Sequence, residues 1–449
     1  MAGRKLQWSR IPVVEKFIDQ ILAESGKKNL LLGQVDEQLL ARTSTHLCDW
    51  LDHLLIPDSM RIRNRLGALG FAPEKDLHRT VFFHPEGRVP RIILTSADAA
   101  HHYGVAIRVE SIECFLDALG CQGEIEGEPL GPYRSATIVS DSDVKLLVVE
   151  RRGSRSVTPS AACKPDAQGF TKGRERWRAC RNKPSVSFKT MHDAADALVN
   201  EYGTGPATAM VMAAERDYWC SRNRIASFQQ ERQAALGLGW VNHDHHTFRS
   251  SRSSFLDLQK LFLKLGFIHR ERFYAGREAG WGAQVMEQHE AGIVLFLDVD
   301  LTPEEVCFNF TGLAMREQDS LGTIGLWCAL HGDSLFGAGL HHVAANFDFD
   351  RLHLDMQDQG LGFMPPFSDL PYLRQSFSQG EEWQVSTKRL QQLLSEHRIS
   401  ASDAEHFAAH GARGSHLENI QRREGYKGFS QEHASTIIRD TDPRSHAGT

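Results

Sequence analysis

The feature that most constrains this 449-residue chain is a duplication: the order of elements in its first third returns in its last part. In the first copy, DSMRIRNRLGALGF (58–71) has helical apolar spacing and ends in Leu-Gly-Phe. Strand-like runs follow at 79–84, 91–96 and 101–109, then a short helix at 110–120, then strands at 135–140 and 144–153. In the second copy, HDHHTFRSS (243–251) reads as a strand, and SSFLDLQKLFLKLGF (253–267) is again a helix ending in Leu-Gly-Phe. GIVLFLDVDL (292–301) follows as a strand, and GAGLHHVAANF (337–347) is the counterpart of HHYGVAIRV (101–109). Copies at roughly 45–153 and 240–430 predict an α+β fold. It has two tandem halves, each a curved mixed β-sheet with helices on one face.

The remaining segments divide accordingly. Residues 1–44 read as an N-terminal helical extension. The helical spacing continues through DEQLLARTSTHLCDWLDHLL (36–55), which places His53 in a helix. Residues 45–153 form the first half and 239–436 the second, with 437–449 as a flexible tail. Residues 154–238 read as a linker and basic insertion, with short strands and then a helix over 173–203. Lys172, Arg174, Arg176, Arg178, Arg181 and Lys183 cluster there. Without aromatic platforms such a cluster is weak evidence for nucleic-acid contact, so a solvated insertion is the better reading. Such an insertion is replaceable without disturbing what lies beyond it.

Composition narrows the function classes. The chain is 41% hydrophobic and 24% charged with a formal charge of −6, which gives no reason to expect nucleic acid or an anionic membrane as partner. Eight cysteines lack any C-x-x-C pair, and no apolar run approaches the ~18 residues of a membrane span. With no signal peptide in view, a cytoplasmic protein with reduced thiols is expected, as a monomer or homo-oligomer.

Several of the 22 histidines cluster late, at His243, His245, His246, His341 and His342. Iron(II) oxygenases commonly hold the metal on one face with two imidazoles and one carboxylate, leaving the opposite positions open. His245, His342 and Glu418 supply that set from three separate strand groups. Taken singly, a strand histidine is more often structural than ligating. The surrounding residues raise the odds. Asp244 precedes His245. Gly337, Ala338 and Gly339 lead to His342, Val343 and Ala344. Glu418 is followed by Ile420, Gln421, Arg422, Gly428 and Phe429.

These stretches, with GLGFMPPFSDLPYLRQ (360–375), resemble the 4-hydroxyphenylpyruvate dioxygenase family of the vicinal-oxygen-chelate superfamily. The resemblance implies two tandem vicinal-oxygen-chelate-like halves with Fe(II) only in the second. His245, His342 and Glu418 would be the ligands, and Gln375 and Phe429 would contact substrate. It further implies oxidative decarboxylation of an α-keto acid by dioxygen and hydroxylation of the same molecule. The substrate would be 4-hydroxyphenylpyruvate or a related arylpyruvate, and the product of the homogentisate type. Three departures stand out: the long 154–238 segment, the polar stretch 397–416 before the last ligand, and SQEHAST (430–436) after Phe429. Alternatives are a hydroxymandelate-synthase-like or 2-oxoadipate-dioxygenase-like enzyme, or a non-catalytic binding protein on the same fold. In the first half, His53, His102 and Glu150 hold roughly equivalent places, but the family leaves that half empty of metal.

Overall fold

The computed structural model describes residues 8–74, 76, 79–96, 103–140, 142–159, 165–183, 186–274, 280–305, 308–430, 437 and 441–445. Helices α1 (Pro12–Lys28) and α2 (Leu30–Thr43) come first. They are followed by β1 (Leu51–Pro57), α3 (Met60–Ala68), β2 (Ala72–Glu74), β3 (Thr80–Phe83) and β4 (Arg91–Thr95). The same βαβββ order then repeats as β5 (Tyr103–Arg108), α4 (Ile112–Leu119), β6 (Gly123–Glu126), β7 (Tyr133–Ile138) and β8 (Val144–Arg151). The two modules join into one eight-stranded mixed sheet, order β2-β3-β4-β1-β5-β8-β7-β6, with β1 and β5 antiparallel at its centre.

The second half repeats this sheet. Its first module is β9 (His243–Arg249), α9 (Phe255–Lys264), β10 (Ile268–Tyr274), β11 (Trp281–Gln288) and β12 (Ile293–Asp300). After α10 (Thr323–His331) and a π-helical turn (Ser334–Ala338) come β13 (His342–Asn346), α11 (Phe349–Gln357), β14 (Ser368–Leu370) and β15 (Leu373–Phe377). A small excursion of β16 (Glu382–Trp383), α12 (Thr387–Ser395), α13 (Ala401–His410) and β17 (Ala412–Arg413) precedes β18 (His416–Arg422). The sheet order β10-β11-β12-β9-β13-β18-β15-β14 matches the first sheet strand for strand. The fold is therefore α+β with two tandem halves of one topology, each a mixed β-sheet, and each half is itself a doubled module.

Alternation along the strands sorts side chains to two faces. Phe248, Leu295, Leu297, Val343 and Leu417 face α9, where Phe255, Leu258 and Phe262 complete a core. The opposite face carries Phe273, Trp281, Phe296 and Phe377. Helices do not keep wholly to one face: α10 packs Ile324 and Trp327 against this second, inner group.

Two readings from sequence are corrected. LDHLLIP (51–57) is strand β1, not the end of a helix, so His53 lies on a sheet. Its apolar run was ambiguous in period, and pairing with β4 and β5 decided it. The short strands expected from residue 173 are also absent. The segment forms α5 (Ala167–Arg181), α6 (Phe188–Tyr202), α7 (Thr204–Cys220) and α8 (Arg224–Ala234).

Nor is this segment a solvated insertion. Trp177, Met191, Leu198, Met210 and Trp219 are buried and belong to the same core as the α9 face. Its basic residues are largely matched from within: Arg174 and Arg178 meet Asp217, Arg176 meets Glu201, and Arg181 meets buried Glu215. The final stretch is anchored where it is described: Ile437 is buried, and Thr323 donates to Asp442 at 2.6 Å. No helix among the described residues is long and apolar enough to cross a membrane.

These contacts yield a prediction. Trp177 is fully buried and its Nε1 donates to Glu215 at 2.8 Å. Trp177→Ala is expected to destabilise the C-terminal half by about 3–5 kcal/mol in chemical denaturation. A change under ~1 kcal/mol would mean that the helical layer is dispensable to that core after all.

Candidate metal centre

His245, His342 and Glu418 converge at the centre of the second sheet. β9 and β13 pair antiparallel, setting Ala344 opposite His245 and His342 opposite Thr247. β13 and β18 pair in parallel, setting Glu418 beside Ala344. The small Ala344 thus leaves a gap between a histidine and a glutamate on the same face. His245 Nε2 lies 3.3 Å from Glu418 Oε2, His342 Nε2 lies 3.1 Å from the same oxygen, and the two Nε2 atoms are 3.3 Å apart. A metal with bonds of about 2.1 Å spaces adjacent ligand atoms by about 3 Å, so the set fits one face of a coordination shell. Among the described residues no other His, Cys, Asp or Glu set gathers this closely.

Each donor is aimed by a neighbour. His245 Nδ1 is 2.9 Å from Asp244 Oδ1, so the proton belongs on Nδ1 and the Nε2 lone pair faces the site. His342 Nδ1 is 2.9 Å from His341 Nδ1, and its Nε2 also lies 2.9 Å from Thr247 Oγ1. Gln375 donates to Glu418 Oε1 at 2.7 Å, leaving Oε2 for the imidazoles. Gln375 therefore lines the pocket with its amide nitrogen already engaged. Asp244 is fully buried between Arg422 (2.7 Å) and Arg88 of the first half (2.8 Å). Burial alone would raise its pKa, but the two guanidinium groups hold it well below the carboxylate range. Burial would likewise raise that of Glu418, and the two imidazoles hold it down. Such a donor set calls for a cation.

The pocket in front of the triad is lined by rings. Phe429 sits edge-on to His245 at 5.2 Å and to Phe296 at 4.6 Å, and Phe377 lies 4.8 Å from the His342 ring. Phe273, Trp281 and Phe367 complete the wall. Arg249 and Asp298 also line it, and sequence reading missed both. The signal was present: His245, Thr247 and Arg249 share one face of β9, and Asp298 is a charge inside the apolar β12. A larger cleft of about 930 Å³ runs between the halves and reaches the back of the site at Asp244, Arg422 and Phe429.

The first half carries the frame without the ligands. By strand register His53 corresponds to His245, Gly104 to His342 and Leu147 to Glu418. A Cβ on Gly104 would lie 2.8 Å from Leu55 and 3.1 Å from Leu147, so leucines occupy the space between. The supporting contacts nevertheless persist: His53 pairs with Asp52 at 2.6 Å, and Arg151 pairs with Asp52 as Arg422 does with Asp244. Glu150 corresponds to Gln421 and is taken up by Arg134, Arg152 and the Ile112 N–H. His102 lies outside the described residues.

No family profile and no curated protein matches the chain. Among solved structures, a mutant 4-hydroxymandelate synthase from Streptomyces coelicolor aligns at 13% identity over 88% of this chain and 99% of that one, with a TM-score of 0.28. A methylmalonyl-CoA epimerase from Mycobacterium tuberculosis aligns at 11% identity over 40% of this chain and 87% of that one, TM-score 0.23. A xylose isomerase-like TIM barrel/4-hydroxyphenylpyruvate dioxygenase fusion protein aligns at 12% identity over 94% of this chain and 59% of that one, TM-score 0.25.

Buried histidines around the site give a pH prediction. Burial depresses His243, His331 and His416 to about 3, so each is neutral when folded. Between about pH 3 and 6.5 the unfolded chain binds more protons, so stability rises with pH there and is lost as pH falls below 6.5. In metal-free protein the unfolding free energy should drop from pH 6.5 to 5. His331→Gln should flatten that slope by up to about 1.4 kcal/mol per pH unit. An unchanged slope would show that His331 is charged in the folded state.

Proposed function

We propose that this protein is a non-haem iron(II) dioxygenase that oxidatively decarboxylates an α-keto acid and hydroxylates the remainder of the same molecule. The proposed substrate class is 4-hydroxyphenylpyruvate and related arylpyruvates. The observation that carries the reading is the buried His245, His342 and Glu418 face, open on one side to a pocket walled by rings. Two neutral imidazoles and one carboxylate, with neighbouring positions free, suit iron(II) better than a closed structural zinc site.

His245, His342 and Glu418 would hold the ion. Bound there, iron(II) supplies a Lewis acid for the keto acid and electrons for dioxygen. The chain's own residues set the rest. Asp244 keeps the His245 proton on Nδ1, and Gln375 fixes the rotation of the Glu418 carboxylate. Phe296, Phe377 and Phe429 exclude water and offer faces for an aryl ring. Gln375 and Phe429 are the proposed substrate contacts at the triad. The keto acid loses its carboxylate as carbon dioxide and so supplies two of the four electrons that dioxygen accepts. Hydroxylation supplies the other two, and no separate 2-oxoglutarate is consumed.

The test is oxygen uptake by iron(II)-loaded protein with 4-hydroxyphenylpyruvate and related keto acids. Oxygen consumed and carbon dioxide released should be equal. His342→Ala and Glu418→Ala should stay folded, lose the metal by elemental analysis and lose turnover. Glu150→Gln should retain both, because Leu147 and Gly104 fill the first half's equivalent site. Uptake that depends on added 2-oxoglutarate, or metal retained by Glu418→Ala, would reject the reading.

A further inference from the structure

Beyond the triad, the pocket contains a buried charge held only loosely by the described residues, with the Trp327 ring 5.4 Å from the Arg249 guanidinium. Arg249 is 2% exposed, and its Nε and Nη1 have no hydrogen-bond partner among the described residues. Its nearest opposite charge, Asp298, lies directly across from it on β12, yet their contact is 4.0 Å, too long for a hydrogen bond. Asp298 Oδ1 is itself without a hydrogen-bond partner among the described residues, although only 4% of the residue is exposed. Asp300, two residues on, behaves differently: it accepts from the Ile324 and Gly325 N–H groups at the start of α10. Buried guanidinium donors are normally paired. A loose pair facing a cavity is arranged to receive something else.

Position supports this. His245, Thr247 and Arg249 share one face of β9, so about 13 Å of strand separates the first ligand from the arginine backbone. The arginine is thus at the far end of the same ring-lined pocket. The duplicated half gives an internal control. There the register equivalents of Arg249 and Asp298 are Pro57 and Thr95, and the ligand positions hold Gly104 and Leu147. The charged pair is missing where the triad is missing, so it is not part of the sheet's scaffold.

We propose that Arg249 and Asp298 form an anion subsite that holds a second carboxylate of the substrate, at the opposite end from the keto acid group. The guanidinium offers a fork of N–H donors matched to a carboxylate. Asp298 competes for the arginine in the empty pocket and gives way when the substrate arrives. This subsite rests on the keto acid reading above and deepens it: the preferred substrate is a keto diacid whose middle lies against the rings.

The test is calorimetric titration of full-length protein, loaded anaerobically with iron(II) and also metal-free. The probes are matched keto acids with and without a distal carboxylate: 4-carboxyphenylpyruvate against phenylpyruvate, and 2-oxoadipate against 2-oxohexanoate. At least one diacid should bind tenfold or more tightly than its partner. Arg249→Met should abolish that preference, bringing diacid affinity down to that of the matched monoacid. Asp298→Asn removes the competitor, keeps the arginine, and should tighten diacid binding several-fold. This second variant decides the matter if Arg249→Met fails to fold. Metal-dependent binding without diacid preference in either pair would overturn the subsite alone. Diacid preference that is metal-independent and lost in Arg249→Met would keep the subsite and overturn the iron reading. Binding of neither class would overturn both.

Discussion

A carboxylate and two imidazoles lie within 3.3 Å of one another in the interior of a sheet, and the cost of burying them shapes their surroundings. Glu418 is screened by the imidazoles and held by Gln375. His245 donates its Nδ1–H to Asp244, and that buried carboxylate needs two arginines of its own. One of them, Arg88, belongs to the first half. The first half therefore takes part in the site by charge, although none of its described residues lines the triad's pocket. The interface between the halves and the orientation of the first ligand are one electrostatic arrangement.

Duplication makes the dependence visible. Both sheets have the same strand order, and both keep the Asp-His step on the first central strand with an arginine clasping the aspartate. Only the cavity differs. Gly104, Leu147 and Leu55 give the first half an apolar filling where the second has His342, Glu418 and Thr247. A close-packed apolar centre is self-sufficient, whereas a polar one needs partners on every side.

The helical layer between the halves meets part of that need. Gly339 adopts φ +86° where a side chain would strike the Tyr218 ring, and Tyr218 donates to Gly337 O at 2.8 Å. Arg181 donates to the carbonyls of Ser334 and Leu335, and Ser334 Oγ accepts from Arg249 N. The turn that launches His342 is thus propped by α5 and α7. This is why a stretch that looks like a basic insertion is packed as core.

Periodicity and residue order in the sequence determined the repeat, most strands and the α+β class, because those features are local and a period of two or 3.6 residues reports them directly. The three residues that meet at the centre were legible only through the family resemblance of the motifs around them. Tertiary structure decided what depends on strand register and long-range pairing. LDHLLIP is a strand because β4 and β5 flank it, and its apolar run alone suits either element. The first half's true counterparts are Gly104 and Leu147, not His102 and Glu150, because cross-strand partners and not motif order set equivalence. Arg249 and Asp298 lie 49 residues apart, and only the β9–β12 pairing makes them neighbours. An isolated arginine in a sequence has no visible partner, and whether it stays unpaired when buried is a property of the fold alone.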